Sequence, residues 1–414
     1  MATLETGARA FAPRVAMDRA LWNAPVSSPG TRPHVGMVLH CDGAPPSLEK
    51  VIAHVTARLP ALPALRSLPA GSRWYVKAHL DLEAHLTERE LQPGPDALDQ
   101  AVRALIGAPL PEHGPAWQLH LLRGQTNDGF ALFYRVHHSL QDGGGILHTL
   151  ETLFGDDAEA PSSAAYPGFI EPTRASLGDM GIATGALLSA ARRTGTWASY
   201  PAGFSGDRMQ RWCAVPIDRL RNVASGHGGT ANDAYLAALA HALTQAAERL
   251  PSSSAQVPFL VPANLRRPGE VAAPGNRVIL ASVALPGGQL TAKERLHLTP
   301  TATGVLKSAR LREAMRRFTA MTPTSVMTGM LKTVSKPAHA ATLASKLVLR
   351  RRLDFQGASV SRVVPVMWAP LGIPVAAMML TYQDTATVCF TTDPAMPGLD
   401  ELRDHWQAAI ESRD

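Results

Sequence analysis

Cysteine is nearly absent from this chain: three residues in 414, Cys41, Cys213 and Cys389, with no close spacing among them. That scarcity excludes a disulfide-stapled scaffold and a cysteine-based zinc site, and it predicts a reducing, cytoplasmic setting. A long uninterrupted apolar run is missing too. The longest apolar stretch, residues 363–380, is broken by Pro365, Pro370 and Pro374, which predicts strand, turn and strand instead of a membrane-spanning helix. Residues 1–11 lack a basic segment followed by an apolar one, so no secretory leader is expected. Peripheral contact with a membrane surface is the most that this pattern predicts. No internal repeat is present, and 45% hydrophobic with 18% charged residues excludes a disordered chain.

What is there has the size and rhythm of two domains. Strand-like patterns at residues 34–41, 73–78, 117–123 and 130–136 alternate with helix-like ones at 48–59 and 98–106. Residues 156–206 turn rich in Ala, Ser, Gly and Pro, with a short helix expected over 187–193. A second block opens near Trp212. Thr230-Ala231-Asn232-Asp233 fits a capping box ahead of an apolar helix face running from Leu236 to Leu250. Strands are expected at 257–261, 278–285, 375–382 and 386–392, the last two as a hairpin, and a closing helix at 399–410. The expectation is an α/β fold of mixed sheets covered by helices, divided as 1–160, a linker at 161–210, and 211–414.

The densest chemistry lies in Arg135-Val136-His137-His138-Ser139-Leu140-Gln141-Asp142-Gly143-Gly144-Gly145. Two histidines end an apolar strand, an Asp follows the second by four residues, and glycines open a helix-like stretch at 146–154. Chance would give such a pattern in about two chains per thousand of this composition, so coincidence is a poor explanation. Each member also has a plainer reading. A histidine at a strand end is often only a hydrogen-bonded surface residue, Asp142 suits a helix N-cap, and the glycines suit a tight turn. Together they suit acyl transfer from a thioester, which needs a general base on a rigid loop end.

The His-His-x-x-x-Asp-Gly run resembles that of the bacterial wax ester synthase/diacylglycerol acyltransferase family. Other segments follow the family in order: Pro115-Ala116-Trp117, Asn232-Asp233, Val261-Pro262-Ala263-Asn264-Leu265-Arg266, Gly275-Asn276, Gly357-Ala358 and Tyr382. The resemblance implies a chloramphenicol acetyltransferase-like fold of two subdomains with an active-site channel at their interface, shared with condensation domains. It makes His138 the base, His137 a support for the loop, and Asp142 an anchor paired with an arginine, Arg266 first. Gly143 and Gly144, through backbone amides, and Asn276 are the candidate oxyanion or substrate-binding groups. Asn232, Asp233, Arg266 and Trp117 are expected in structural or interface roles, with Trp117 in the core.

The implied donor is acyl-coenzyme A or an acyl group on a carrier protein's phosphopantetheine. The implied acceptor is a small hydroxyl or amine compound, with no permanently bound cofactor or metal. The net charge of +6 and the clusters Arg310, Arg312, Arg316, Arg317 and Lys346, Arg350, Arg351, Arg352 fit either solvated helix faces or phosphate and acidic partners. No nucleic-acid motif accompanies them, so no nucleic-acid partner is expected. One departure is plain. Where the family has Ser-Asn-Val-Pro-Gly-Pro, this chain has Ser345-Lys346-Leu347-Val348-Leu349-Arg350, which points away from lipid acceptors and toward specialised metabolism. Wax ester or triacylglycerol synthesis, and a non-catalytic partner-recruiting domain, are the alternatives.

Overall fold

The computed structural model describes residues 9–411 apart from 93, 127, 157–173, 193–196, 198–204, 247–255, 337 and 371. The N-terminal half begins with β1 (Arg9–Pro13), α1 (Ala16–Trp22), β2 (His34–Asp42) and α2 (Leu48–Arg58). It continues through β3 (Ser67–Ala70), β4 (Arg73–Val76), β5 (Leu86–Glu90), α3 (Ala97–Gly107), β6 (Trp117–Thr126), β7 (Gly129–His137) and α4 (Gly143–Phe154). After α5 (Leu177–Ala190) come β8 (Met209–Pro216), α6 (Ile217–Ser225), α7 (Ala231–Ala246), β9 (Gln256–Asn264), β10 (Val278–Pro286) and α8 (Ala292–Thr303). The remainder is α9 (Ala309–Met321), α10 (Thr324–Val334), β11 (Thr342–Leu349), β12 (Asp354–Phe355), β13 (Ala358–Val366), β14 (Val375–Tyr382), β15 (Thr385–Thr392) and α11 (Leu402–Glu411).

Two six-stranded mixed sheets organise these elements. The first runs β12-β13-β2-β7-β6-β5 and the second β10-β9-β11-β14-β15-β8, with a small sheet β1-β4-β3 beside them. β7 lies inside the first sheet and is buried on both faces, which is why its sequence is an apolar run without polar alternation. Leu132, Tyr134 and Val136 face one core together with Ile146 and Leu150 of α4. Ala131 and Phe133 face a second core under α3. The first of these cores is continuous with Leu260, Leu343 and Met378 of the second sheet, so a single apolar mass joins the two sheets. On its far face the second sheet packs Val375, Ala377 and Met379 against residues of α7 and α11.

One strand crosses the expected division into 1–160 and 211–414. β13, from the C-terminal half, pairs antiparallel with β2, with Val360 opposite Cys41 and Val366 opposite Gly36. Strand identity is local, but a partner more than three hundred residues away leaves no local trace. The helix expected at 187–193 starts at Leu177, ten residues earlier, and ends at Ala190. The strand expected over 73–78 ends at Val76, the closing helix begins at Leu402, and Leu250 lies outside the described residues.

One irregularity positions the site. β9 and β11 pair only at Phe259–Thr342 and Leu260–Leu343. Beyond that point β9 follows β10 while β11 follows β14 as far as Leu349 opposite Tyr382. The N-terminus of α4 sits against β11 past this divergence, because a Cβ on Gly143 would lie 2.6 Å from a Leu347 methyl. Glycine permits that approach without the Leu347 side chain having to shift.

Candidate active site

β7 ends at His137, and the turn 138–142 carries the chain into α4. Asp142 is the N-cap, its Oδ1 accepting from Gly145 N at 2.9 Å, which anchors the first helical turn. The N-cap reading and the anchor reading are both true of this side chain. Arg266 Nε donates to Oδ1 and Oδ2 at 2.9 and 3.1 Å, and Arg277 N donates to Oδ2 at 2.7 Å. The Asp142–Arg266 pair anticipated from the sequence is therefore made, with both side chains buried. Burial pushes the Asp142 carboxyl up, but the Arg266 guanidinium and these hydrogen bonds outweigh it and hold the pKa below the ordinary value. Arg266 also donates to the carbonyls of Glu270, Ala273 and Gly275, so one guanidinium ties the loop before β10 to the turn.

The two histidines have different surroundings. His137 Nδ1 accepts from Ser139 N at 3.1 Å and shares a 2.8 Å hydrogen bond with Ser139 Oγ. Burial, then the neighbouring His34, His138 and Arg14, push the His137 pKa down to about 3. A ring with its lone pair engaged and so low a pKa is a poor base at neutral pH. His138 is held by its backbone, with N donating to Pro33 O at 2.7 Å and O accepting from Asn276 Nδ2 at 2.8 Å. Its half-buried ring meets the edge of Trp368, with centroids 6.2 Å apart. Its Nδ1 is sealed from solvent with no hydrogen-bond partner among the described residues, whereas Nε2 is the ring nitrogen that keeps accessible surface.

His34, opposite His137 in the sheet, is pushed down to about 4, chiefly by burial. Both rings bind protons in the unfolded chain near pH 6.5, well above their folded values, so acidification favours unfolding. Stability is expected to be full above pH 6.5 and to decline as pH falls toward 4. In His137→Asn the side-chain carbonyl still accepts from Ser139 N, so its denaturation midpoint should fall less over that range; an equal fall would contradict the assignment.

Asn276 is committed to protein partners. Its Nδ2 donates to Asp18 Oδ1 and His138 O, leaving no donor for an oxyanion. It positions the turn. Gly145 N is spent on Asp142, while Gly143 N and Gly144 N make no hydrogen bond to the described protein. Trp117 is fully buried, donates Nε1 to Leu65 O and stacks on His85, so it is a core residue. Asp233 closes a capping box with Thr230 and accepts from Thr303 Oγ1. Among the described residues, no hydrogen bond joins Asn232 or Asp233 to the histidine turn.

The basic cluster on α9 is partly internal. Arg316 is buried against Glu270 at 2.8 Å, and Arg317 pairs with Asp179 and Glu313. Sequence reasoning missed Asp18, Ser139 and Arg277. The one signal for Asp18 was an acid on the apolar side of α1, between Ala16 and Ala20. No helix of the described residues is long and apolar enough to cross a membrane.

The three cysteines are buried strand residues. Burial first, then nearby carboxylates, push the Cys41 thiol up to about 12; burial pushes Cys213 and Cys389 up to about 11. Such thiols stay protonated near neutrality and make poor nucleophiles. Single Cys→Ala variants are expected to keep turnover, and a large loss in any of them would point to covalent chemistry at sulfur.

The model of the wax ester synthase/diacylglycerol acyltransferase catalytic domain matches residues 16–198. A protein of Mycobacterium tuberculosis provisionally named a diacylglycerol O-acyltransferase is 28% identical over 219 residues, 50% of this chain and 49% of that protein. A similarly named protein of Mycobacterium bovis is 28% identical over 260 residues, 51% of each chain. The chain thus spans about half the length of the curated relatives it matches.

Among solved structures, the wax ester synthase/diacylglycerol acyltransferase from Marinobacter aquaeolei VT8 matches with a TM-score of 0.63 and 20% identity, covering 97% of this chain and 98% of that one. The starter condensation domain of rhizomide synthetase, solved with C8-CoA, gives 0.67 and 15%, covering 97% and 93%. At such identities the structural likeness shows the fold. The resemblance read from the sequence, and the two-subdomain chloramphenicol acetyltransferase-like fold it implied, are borne out.

Proposed function

We propose that this relative of the wax ester synthase/diacylglycerol acyltransferase family moves an acyl group from a coenzyme A or carrier-protein thioester to an alcohol or amine. The observation that carries the reading is the division between the two imidazoles. His137 is fixed by Ser139 with its pKa near 3, while His138 is anchored through its backbone and keeps its ring free. In the proposed step His138 Nε2 takes the proton from the acceptor O–H or N–H as that atom bonds to the thioester carbonyl carbon. The tetrahedral intermediate then expels the thiolate, which recovers the proton from the imidazolium, giving ester or amide and free thiol. No acyl-enzyme forms.

The developing oxyanion needs donors set in place beforehand, worth about 3–4 kcal/mol in comparable sites. Gly143 N and Gly144 N, at the start of α4, are the groups proposed for it. For the acceptor, β11 carries Ser345-Lys346-Leu347 where lipid-forming relatives are expected to have a Pro-Gly-Pro turn, which favours a smaller or more polar molecule. Intact-mass analysis of products tests this with acyl-coenzyme A and acyl-carrier donors against small polar alcohols, amines, long-chain alcohols and diacylglycerol. Ester or amide product supports the reading, and long-chain or diacylglycerol products alone would move it to lipid synthesis. No transfer from any donor, together with a stable complex with a synthase, would make the chain a recruiting domain.

A further inference from the structure

The histidine turn is clamped at both ends by the loop that precedes β10. At its far end Asp142 is held by Arg266 and by Arg277 N. In the middle, Gly275 N donates to Leu140 O at 2.6 Å. At its near end, Asn276 Nδ2 holds the His138 carbonyl, and this contact depends on a residue outside the loop. Asp18 of α1 is fully buried. Its Oδ1 accepts from Asn276 N at 2.7 Å and from Asn276 Nδ2 at 3.0 Å. Its Oδ2 accepts from Val15 N at 3.0 Å and Trp74 Nε1 at 3.3 Å.

Four donors converge on one side chain, two on each oxygen, which only an acceptor-only group can satisfy. An amide would turn its own NH2 toward two of them. Burial outweighs the Arg277 charge and these hydrogen bonds and raises the Asp18 pKa above the ordinary value, but a proton on either oxygen would face two N–H groups. The cage is built for the ionised form. The loop backbone is shaped around it as well. Gly275 has φ +86°, and a Cβ there would sit 2.4 Å from Asp18 Oδ2.

We infer that Asp18 is a positioning residue: by fixing both the backbone and the amide of Asn276, it sets where His138 presents its imidazole. This rests on the proposed role of His138 and adds a connection from α1 to the proposed base. Asp18→Asn reverses one edge of the cage while keeping its size. Trp74→Phe removes a donor from the other oxygen and leaves the path to His138 intact, so it reports on loss of stability without release of Asn276.

The experiment compares wild type with both variants, well below their unfolding temperatures, by steady-state kinetics and by the ¹³Cε1 histidine NMR signal of His138. For Asp18→Asn, kcat should fall roughly 10- to 100-fold with the donor KM little changed, as for displacement of a reacting group from a distance. The His138 signal should shift or broaden. For Trp74→Phe, a lower unfolding midpoint should accompany near-normal kcat and an unmoved signal. An unchanged kcat or an unmoved His138 signal in Asp18→Asn overturns the inference, as does Trp74→Phe reproducing both effects. If Asp18→Asn does not fold, Asn276→Ala, which removes the amide donor shared by His138 O and Asp18 Oδ1 but keeps the backbone N–H on Asp18, is held to the same criteria. Should wild type transfer no acyl group from any donor, the acyltransferase reading fails, and the NMR comparison still decides the positioning role.

Discussion

Replacing His138 with alanine is expected to reduce acyl transfer by on the order of 10²- to 10⁴-fold, the span general-base catalysis commonly supplies, while leaving the fold intact. The second half of that expectation comes from how the residue is held. His138 reaches Pro33 and Asn276 through its backbone N and O, and both bonds survive truncation of the side chain. What the ring itself touches is the edge of Trp368. Losing such a contact costs about 1 kcal/mol, a small part of the stability of a domain of this size. Turnover measured alongside the denaturation midpoint therefore separates chemistry from folding. Near-normal turnover in a well-folded His138→Ala would remove the proposed mechanism. A loss of turnover matched by an equal loss of folded protein would make His138 a structural residue.

Much of this site could be anticipated because its parts announce themselves locally. β7 is a largely apolar run leading into two histidines, and Asp142 followed by glycines is a helix start on any reading. The Arg266 contact, 124 residues away in sequence, was anticipated only through the family resemblance. What escaped detection depends on contacts that no local pattern encodes. Asn276 offers both a donor and an acceptor, and which of them is spent is decided by Asp18, 258 residues earlier. Nothing in the pattern of α1 says that its acid faces inward to four donors. β13 was legible as a strand but not as the neighbour of β2, and α5 was glimpsed only at its end because Gly, Ala and Ser along it blur the apolar face.

Asp142→Asn should destabilise the protein more than any other single replacement at the site, and turnover should fall with it. The wild-type carboxylate accepts from Gly145 N, Arg277 N and Arg266 Nε, and both members of the ion pair are nearly inaccessible. An amide there leaves the Arg266 charge buried without its counterion and sets an NH2 against a backbone N–H. Removing one partner of a buried pair commonly costs about 3–5 kcal/mol, because the remaining charge has no water to turn to. Chemical denaturation should show that difference at neutral pH. The two proteins should converge only in strong acid. The folded Asp142 pKa lies below the ordinary value of roughly 3.9, so its contribution is complete above that pH and is lost as pH falls through the depressed folded value. If Asp142→Asn kept full stability while its pH–rate profile changed, the carboxylate would be acting on the reaction directly instead of anchoring the turn.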